Sequence, residues 1–499
     1  MFKTLANAWK IADLKKKLLF TILIVLLYRL GSAIPVPFTM PLDLGTRGLG
    51  GTTLGLLNTL SGGAFDQATL FALGVSPYIT ASIVIQLLTV AIPALERLAK
   101  QGEEGKKKIN EITRYITMAI AVVSAIGYYF MLKYDRNGSK IGAFVETESA
   151  SWNTFFNIFQ AIVIVACFCA GSAIVMWLAE RINEHGIGNG ISIILFANIV
   201  SRAFPILLNF INMFKAEMAG GNSLHGMGHD VTSTGTLQLL PDASIQGNAF
   251  PWGSLIFTVL ALAGLLAMMW FVIFISDSER RIPVQYAKRV VGRKMYGGQN
   301  SNIPLKLNMA GVMPIIFANA ILTIPQMVAN FVPYVESDGI TVRRVWYHIV
   351  NLFSTNSWFY CILMFVFILA FAYFYVAISF NPTEVAGNLQ KQGGAIPGIR
   401  PGKATSTFIQ KVLSKVTFIG ALALSVISVI PLLISCIINI VRRADGVPDA
   451  IVAPLWSFEY VAELATVGSS IIIVVGVVLE VVREMEAQMT MRHYKGFLG

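Results

Sequence analysis

The chain has 499 residues, of which 55% are hydrophobic and 13% charged, and its formal net charge is +11. A soluble domain carries nearer a quarter charged residues. Here the apolar residues come in blocks of roughly twenty, the length of a bilayer-crossing helix, which excludes a soluble fold and places the chain in a membrane.

In chain order, residues 1–17 are basic and amphipathic. Residues 18–34 are apolar and run into Pro35-Val36-Pro37 rather than a small-residue cleavage site, so they predict a first membrane helix and not a removable signal peptide. Residues 54–73 are weakly apolar and interrupted by Ser61-Gly62-Gly63. They are too polar to span alone and predict a half-helix that enters the membrane region, stops, and gives way to a short span over 77–92. Non-helical backbone at membrane depth survives only where protein or a watery cavity surrounds it, so an internal cavity is expected. Spans follow at 112–132 and 155–178. The glycine-dense Gly186-Ile187-Gly188-Asn189-Gly190 predicts a tight turn into a span at 191–211. The stretch 212–251, rich in Gly, Ser, Asn and His, reads as an external loop. Spans at 252–275, 309–332, 357–380, 416–440 and 467–482 bring the total to ten, and residues 483–499 form a tail. The fold class is an all-α integral membrane protein, with one group of five spans in 18–211 and another in 252–482.

Lysine and arginine set the orientation. One alternating set of loops and ends holds 27 of them and the opposite set holds 9, so the rich side is cytoplasmic and both termini lie there. Two cytoplasmic loops are long, 276–308 and 381–415. Both are basic, contain glycine and are poor in acids, which suits docking of an acidic or RNA-containing partner.

Enzyme signatures fail. There is no His-Glu-x-x-His motif and no Gly-x-Ser-x-Gly elbow. The stretch Gly398-Ile399-Arg400-Pro401-Gly402-Lys403-Ala404 lacks one P-loop spacer and places Ala404 where Ser or Thr would bind magnesium. Cys167, Cys169, Cys361 and Cys436 all sit in apolar blocks and read as packing residues. No metal, cofactor or catalytic residue is expected. Span centres carry almost no charge, since Arg29 near the outer end of the first span can snorkel, and Arg202 and Glu480 lie near span ends. Ion-coupled transport is therefore disfavoured, although a secondary transporter of a small solute is the alternative reading. The span middles offer aliphatic side chains, which can seal against ions by dewetting.

Several motifs occur in order. They are Tyr28-Arg29-Leu30-Gly31 leading to Ile34-Pro35-Val36-Pro37, Leu60-Ser61-Gly62-Gly63-Ala64, and Phe71-Ala72-Leu73-Gly74-Val75-Ser76-Pro77-Tyr78-Ile79. Then come 186–192, Arg281-Ile282-Pro283-Val284-Gln285-Tyr286-Ala287-Lys288-Arg289, and Asn308-Met309-Ala310-Gly311-Val312-Met313-Pro314. The last are Asn381-Pro382-Thr383-Glu384 and Pro397-Gly398-Ile399-Arg400-Pro401-Gly402. On these, the chain resembles the SecY family of protein-translocation channels over essentially its whole length.

The resemblance implies two inverted five-helix halves that open like a clamshell, with 54–73 as a plug around Ser61, Gly62, Gly63, Ala64 and Phe65. It implies a pore ring of Val75, Ile79, Ile191, Leu195, Ile316 and Ile473, and a lateral gate bearing Gln86 and Asn319. It implies docking through Arg280, Arg281, Lys288, Arg289, Arg293, Lys294, Arg400 and Lys403. The implied partners are a SecA motor ATPase or the ribosome, SecE-like and SecG-like small membrane subunits, signal peptides, nascent chains and the lipid bilayer. The implied location is the inner, cytoplasmic membrane of the cell.

Overall fold

The computed structural model describes residues 9–39, 53–99, 101–133, 153–201, 252–286, 289–291, 294–296, 300–331, 344–354, 357–443, 470 and 472–490. The loop expected at 212–251, and Lys288, Arg293 and Arg202, lie outside these residues. The chain divides into two compact units. One comprises Met1–Ala263, Ala320–Cys361 and Pro431–Gly499, and the other Gly264–Asn319 and Ile362–Ile430.

The first unit opens with α1 (Ala12–Ser32). Its residues Leu19, Ile22, Leu23, Leu26, Leu27 and Leu30 are all exposed, a contiguous apolar face that suits lipid rather than water. The short α2 (Thr53–Ser61) stops at the paired glycines, and the chain runs as successive turns to Val75. Helix α3 (Ser76–Ala91) starts with Pro77 in its first turn, where a missing amide hydrogen costs nothing. It bends by 105° into α4 (Pro93–Ala99). Helices α5 (Glu103–Lys133) and α6 (Asn153–His185) then pack against α3 and each other, and α6 also packs on α1.

A turn at 186–189 leads into α7 (Gly190–Ser201). The Asn183 side chain takes the Gly190 amide at 2.7 Å, and the Asn189 side chain takes the Ile191 amide at 3.0 Å. These bonds satisfy donors that a helix start would otherwise leave open. The unit's core joins Val36, Phe65, Ala68, Ala72 and Leu73 to Ala125, Tyr128, Leu132, Ile164 and Phe168. Gly171 on α6 lets the main chain of Leu70 come so close that a Cβ there would overlap the Leu70 carbonyl. Near the turn, Leu14, Ile187 and Met485 form a second buried cluster, which ties the start of α1 to a C-terminal helix over 472–490.

Helix α8 (Trp252–Asp277) leads from the first unit into the second. There, β1 (Glu279–Tyr286), β2 (Arg289–Val291), β3 (Lys294–Tyr296) and β4 (Asn300–Lys306) follow. In chain order, and drawn from both units, then come α9 (Met313–Phe331), α10 (Arg344–Leu352), α11 (Trp358–Ser379) and α12 (Pro382–Lys391), β5 (Gly394–Ala395) and α13 (Lys403–Arg443). Strand β1 pairs antiparallel with β4 on one side and with β5 on the other, while β2 and β3 form a separate two-stranded ribbon.

The all-α expectation is thus corrected in the loops. In β1, Ile282 and Val284 point inward between exposed neighbours, the period-two alternation of a half-buried strand. They pack with Leu305, Leu389, Ile396 and Ile409. Helix α13 starts at Lys403, so the second long loop is helical over its final residues.

Among the described residues, four helices are long and apolar enough to cross a membrane, and the bent pair α3–α4 makes a fifth. Shorter apolar helices lie at Gly190–Ser201, Leu266–Asp277 and Met313–Pro325. The remaining spans expected from hydropathy fall on α1 and on the 472–490 helix.

Candidate functional site

The break between α2 and α3 is a built structure. The Asn58 carbonyl accepts the Gly63 amide at 2.9 Å and the Ser61 hydroxyl at 3.0 Å, and the Asn58 side chain accepts the Asp66 amide at 3.1 Å. Ser61 in turn accepts the Phe65 amide at 3.0 Å. Gly62 at φ 70° and Gly63 at φ 91° supply the left-handed turn that side chains resist. Further on, the Leu70 amide donates to the Ile34 carbonyl at 2.9 Å and the Val36 amide to the Ala68 carbonyl at 3.2 Å, a two-residue bridge to the end of α1. The Phe65 ring lies 4.6 Å from that of Tyr128, whose hydroxyl donates to the Phe65 carbonyl. Ser61, Ala64 and Phe65 are buried, and Gly62 and Gly63 are half-buried.

A second set of contacts ties this segment to α1 and α7. Asn198 on α7 is fully buried, and its amide donates to the Leu60 carbonyl at 2.7 Å and to the Tyr28 hydroxyl at 2.9 Å. Arg29 does not simply reach outward. Its guanidinium donates to the Ala197 carbonyl and also borders Gly62, where a Cβ would lie 2.7 Å from it. A cavity of about 260 Å³ lies beside it, lined by Ser32, Gly63, Asp66 and Gln67 among others. Hydropathy had no means of finding Asn58, Asn198 or Tyr128, because single polar residues in apolar blocks carry no periodic signal.

The aliphatic candidates are placed individually. Val75 caps α3 and accepts the Ile79 amide at 3.0 Å. Val75, Ile79, Leu195 and Ile473 are buried in the first unit, where Ile191 is half-buried, and Ile316 is buried in the second. Gln86 on α3 donates to the Ser82 hydroxyl at 3.4 Å, and Asn319 on α9 is buried.

The two basic loops are brought together within the second unit. Gln285 stands opposite Ala395, and Tyr286 opposite Gly394. On this platform Arg280 and Arg281 are exposed on β1, with Arg281 donating to Glu279 at 2.6 Å. Arg289 and Lys294 lie on the β2–β3 ribbon. Arg400 is exposed in a turn between Gly398 at φ 79° and Gly402 at φ 104°, and its carbonyl accepts the Thr405 hydroxyl at 2.9 Å. Lys403 is exposed at the start of α13. The Asn381 side chain caps α12 by accepting the Thr383 amide, with Pro382 in the first turn.

None of the four cysteines forms a disulfide, and Cys361 and Cys436 bring their sulfur atoms to 3.6 Å, a hydrogen-bonding distance.

Comparison with known proteins gives concordant results. The family profile described as SecY matches residues 69–482. A curated relative from Streptomyces coelicolor, "Protein translocase subunit SecY", is 38% identical over 508 residues and covers 100% of both chains. One of the same description from Corynebacterium glutamicum is 36% identical over 99% of each chain. Among solved structures, "The structure of a protein conducting channel" matches with a TM-score of 0.56 at 16% identity, covering 95% of this chain and 92% of that one. "Sec61 in the Canine ribosome-channel complex from the endoplasmic reticulum" matches with a TM-score of 0.53 at 15% identity over the same shares. The expected fold family is therefore the observed one, and these relatives give no support to the small-solute transporter.

Proposed function

The chain belongs to the SecY family, and from that premise we propose how it works as a protein-conducting channel. The single observation that carries the function is the 38% identity to a protein translocase subunit across the full length of both chains. The protein is a multi-pass membrane channel and not an enzyme.

In this reading ten spans form two inverted five-helix halves, and residues 54–73 are the plug. Val75, Ile79, Ile191, Leu195, Ile316 and Ile473 form the constriction. All six are aliphatic, so none offers water a hydrogen bond, and ions meet an unfavourable desolvation step there. Val75 and Leu195 keep the bulk of the isoleucines beside them. A signal segment presents an apolar stretch of about 7–15 residues. It leaves sideways into lipid through a gate between the second and third spans and the seventh and eighth, near Gln86 and Asn319, while the polar remainder threads the constriction.

Energy comes from a cytoplasmic partner, a SecA-type motor ATPase or the ribosome, docked on the β-platform through Arg280, Arg281, Lys288, Arg289, Arg293, Lys294, Arg400 and Lys403. Support for that role is the pairing of β1 with β5, which turns two separate basic loops into one surface. SecE-like and SecG-like subunits complete the channel in the cytoplasmic membrane. Both termini face the cytoplasm in this reading, which the burial of Leu14, Ile187 and Met485 in one cluster supports.

The test is reconstitution of the chain with its small subunits into vesicles, followed by addition of a signal-bearing preprotein, a SecA-type motor and ATP. Protease-protected preprotein is the expected product. Correctly inserted channel that protects none would overturn the reading.

A further inference from the structure

Asn198 joins three elements that are far apart in sequence. Its amide holds the carbonyl of Leu60 in the last turn of α2 and the hydroxyl of Tyr28 on α1. Carbonyls in a helix's last turn have no partner within the helix, so the Leu60 oxygen depends on what the surroundings supply. Tyr28 is itself fixed, fully buried and stacked on Phe71 at 5.4 Å between ring centres. One helical position earlier, the Ala197 carbonyl accepts from Arg29, whose guanidinium closes over Gly62. The space over Gly62 is limited on a second side too, since a Cβ there would lie 3.0 Å from the Asn198 side-chain oxygen Oδ1. An amide and a guanidinium thus converge on the junction where α2 ends.

We infer that Asn198, with Arg29 beside it, is the latch that holds the plug shut and so sets how strong a signal segment must be to open the channel. The inference rests on residues 54–73 being the plug. Displacing that segment breaks the Asn198–Leu60 bond and uncovers Gly62. In a dry interior the freed amide and carbonyl would carry the full desolvation penalty. Here the guanidinium and Gly62 line a cavity together with Gly63, Asp66 and Gln67, so moving the segment opens the junction to that space and lets water in to the freed groups. That makes the latch releasable, with a threshold of moderate height. A strong signal segment gains enough from entering lipid to exceed it, and a weak one does not.

The test uses the full channel with its small subunits in vesicles and two preproteins, one with an intact apolar signal stretch and one with that stretch shortened. Asn198→Ala is expected to raise the ratio of shortened-signal to intact-signal export about fivefold, the scale of one lost hydrogen bond. Tyr28→Phe removes only the hydroxyl that orients the amide, keeps the ring, and is expected to move the ratio the same way by a smaller factor. It also serves if Asn198→Ala does not fold. Gly62→Ala pushes a methyl against the Arg29 guanidinium and is expected to act in the same direction. An unchanged ratio in the folded variants, with the intact signal still exported, would overturn the latch and leave the channel standing. Failure of the unsubstituted protein to export the intact signal would instead overturn the channel reading.

Discussion

Gly171 on α6 and Leu70 in the α2–α3 connection meet main chain to main chain, at a separation that leaves no room for a Cβ. The neighbour is a backbone carbonyl and not a flexible side-chain tip, so nothing nearby can yield cheaply. Gly171→Ala is expected to destabilise the protein by about 1–3 kcal/mol, the usual cost of overpacking. Thermal unfolding of purified protein in detergent measures it. A melting temperature equal to that of the unsubstituted protein would show that the contact is not tight.

Arg400 stands exposed on a turn between two left-handed glycines. Arg400→Glu is expected to reduce motor-driven export at least tenfold while leaving insertion of the chain into the membrane intact, because reversing one interface charge can cost several kcal/mol. Export assays paired with motor-binding measurements decide this. Wild-type export with unchanged motor affinity would remove Arg400 from the docking surface.

Leu305 on β4 is fully buried, packed with Ile282, Val284, Leu389, Ile396 and Ile409. Leu305→Ala leaves a hole there and is expected to cost about 2–5 kcal/mol locally. The readout is limited proteolysis of the 279–306 region, which should be cut faster while the membrane helices stay protected. Export should fall in parallel under the docking role proposed above for the side chains on this platform. Cleavage at the unsubstituted rate would mean the sheet does not depend on this core.

Ile316 and Ile473 are both buried aliphatic residues. Ile316→Asn combined with Ile473→Asn would place hydrogen-bonding groups in the proposed constriction and favour its wetted state. Raised resting ion conductance and a relaxed signal requirement should appear together, since both report one shift from closed to open. Removing residues 61–65 should add to the leak. Planar-bilayer recording is the measurement. Normal conductance and normal selectivity in a folded double variant would show that these residues do not line the pore.

Cys361 and Cys436 are each 1% exposed, with their sulfurs 3.6 Å apart, at hydrogen-bonding distance and without a disulfide. A polar maleimide is expected to leave both unlabelled in native membranes, and denaturation in detergent should release all four thiols for titration. Fewer than four after denaturation without reductant would indicate a bond that the structure does not contain.

The apolar helices were legible because hydropathy reports them directly. The break after Ser61, the start of α3 beside Pro77 and the turn before Gly190 all follow from glycine and proline. Helix ends were less legible. Helix α5 begins at Glu103 and α13 at Lys403, before the apolar residues start, because lysine and glutamate are good helix formers that hydropathy discards. The sheet was hidden differently. Ile282 and Val284 do alternate, but Pro283 sits between them and basic residues surround them, so the stretch read as a charged loop. The pairing of Tyr286 with Gly394 spans more than a hundred residues, and no local pattern announces it. The same holds for Asn198 and Leu60, where one partner is a main-chain oxygen and any residue could supply it.

That last point reaches into evolution. Asn198 grips the carbonyl of Leu60, Tyr128 grips the carbonyl of Phe65, and the Asn58 side chain grips the amide of Asp66. A grip on the main chain is blind to the side chain that rides on it. Lineages can therefore change the Leu60 or Asp66 side chain and keep these bonds, provided the glycine turn survives. Selection then falls on distant positions such as 28, 128 and 198. Across related channels, substitutions should accumulate faster at positions 60 and 66 than at positions 28, 128 and 198.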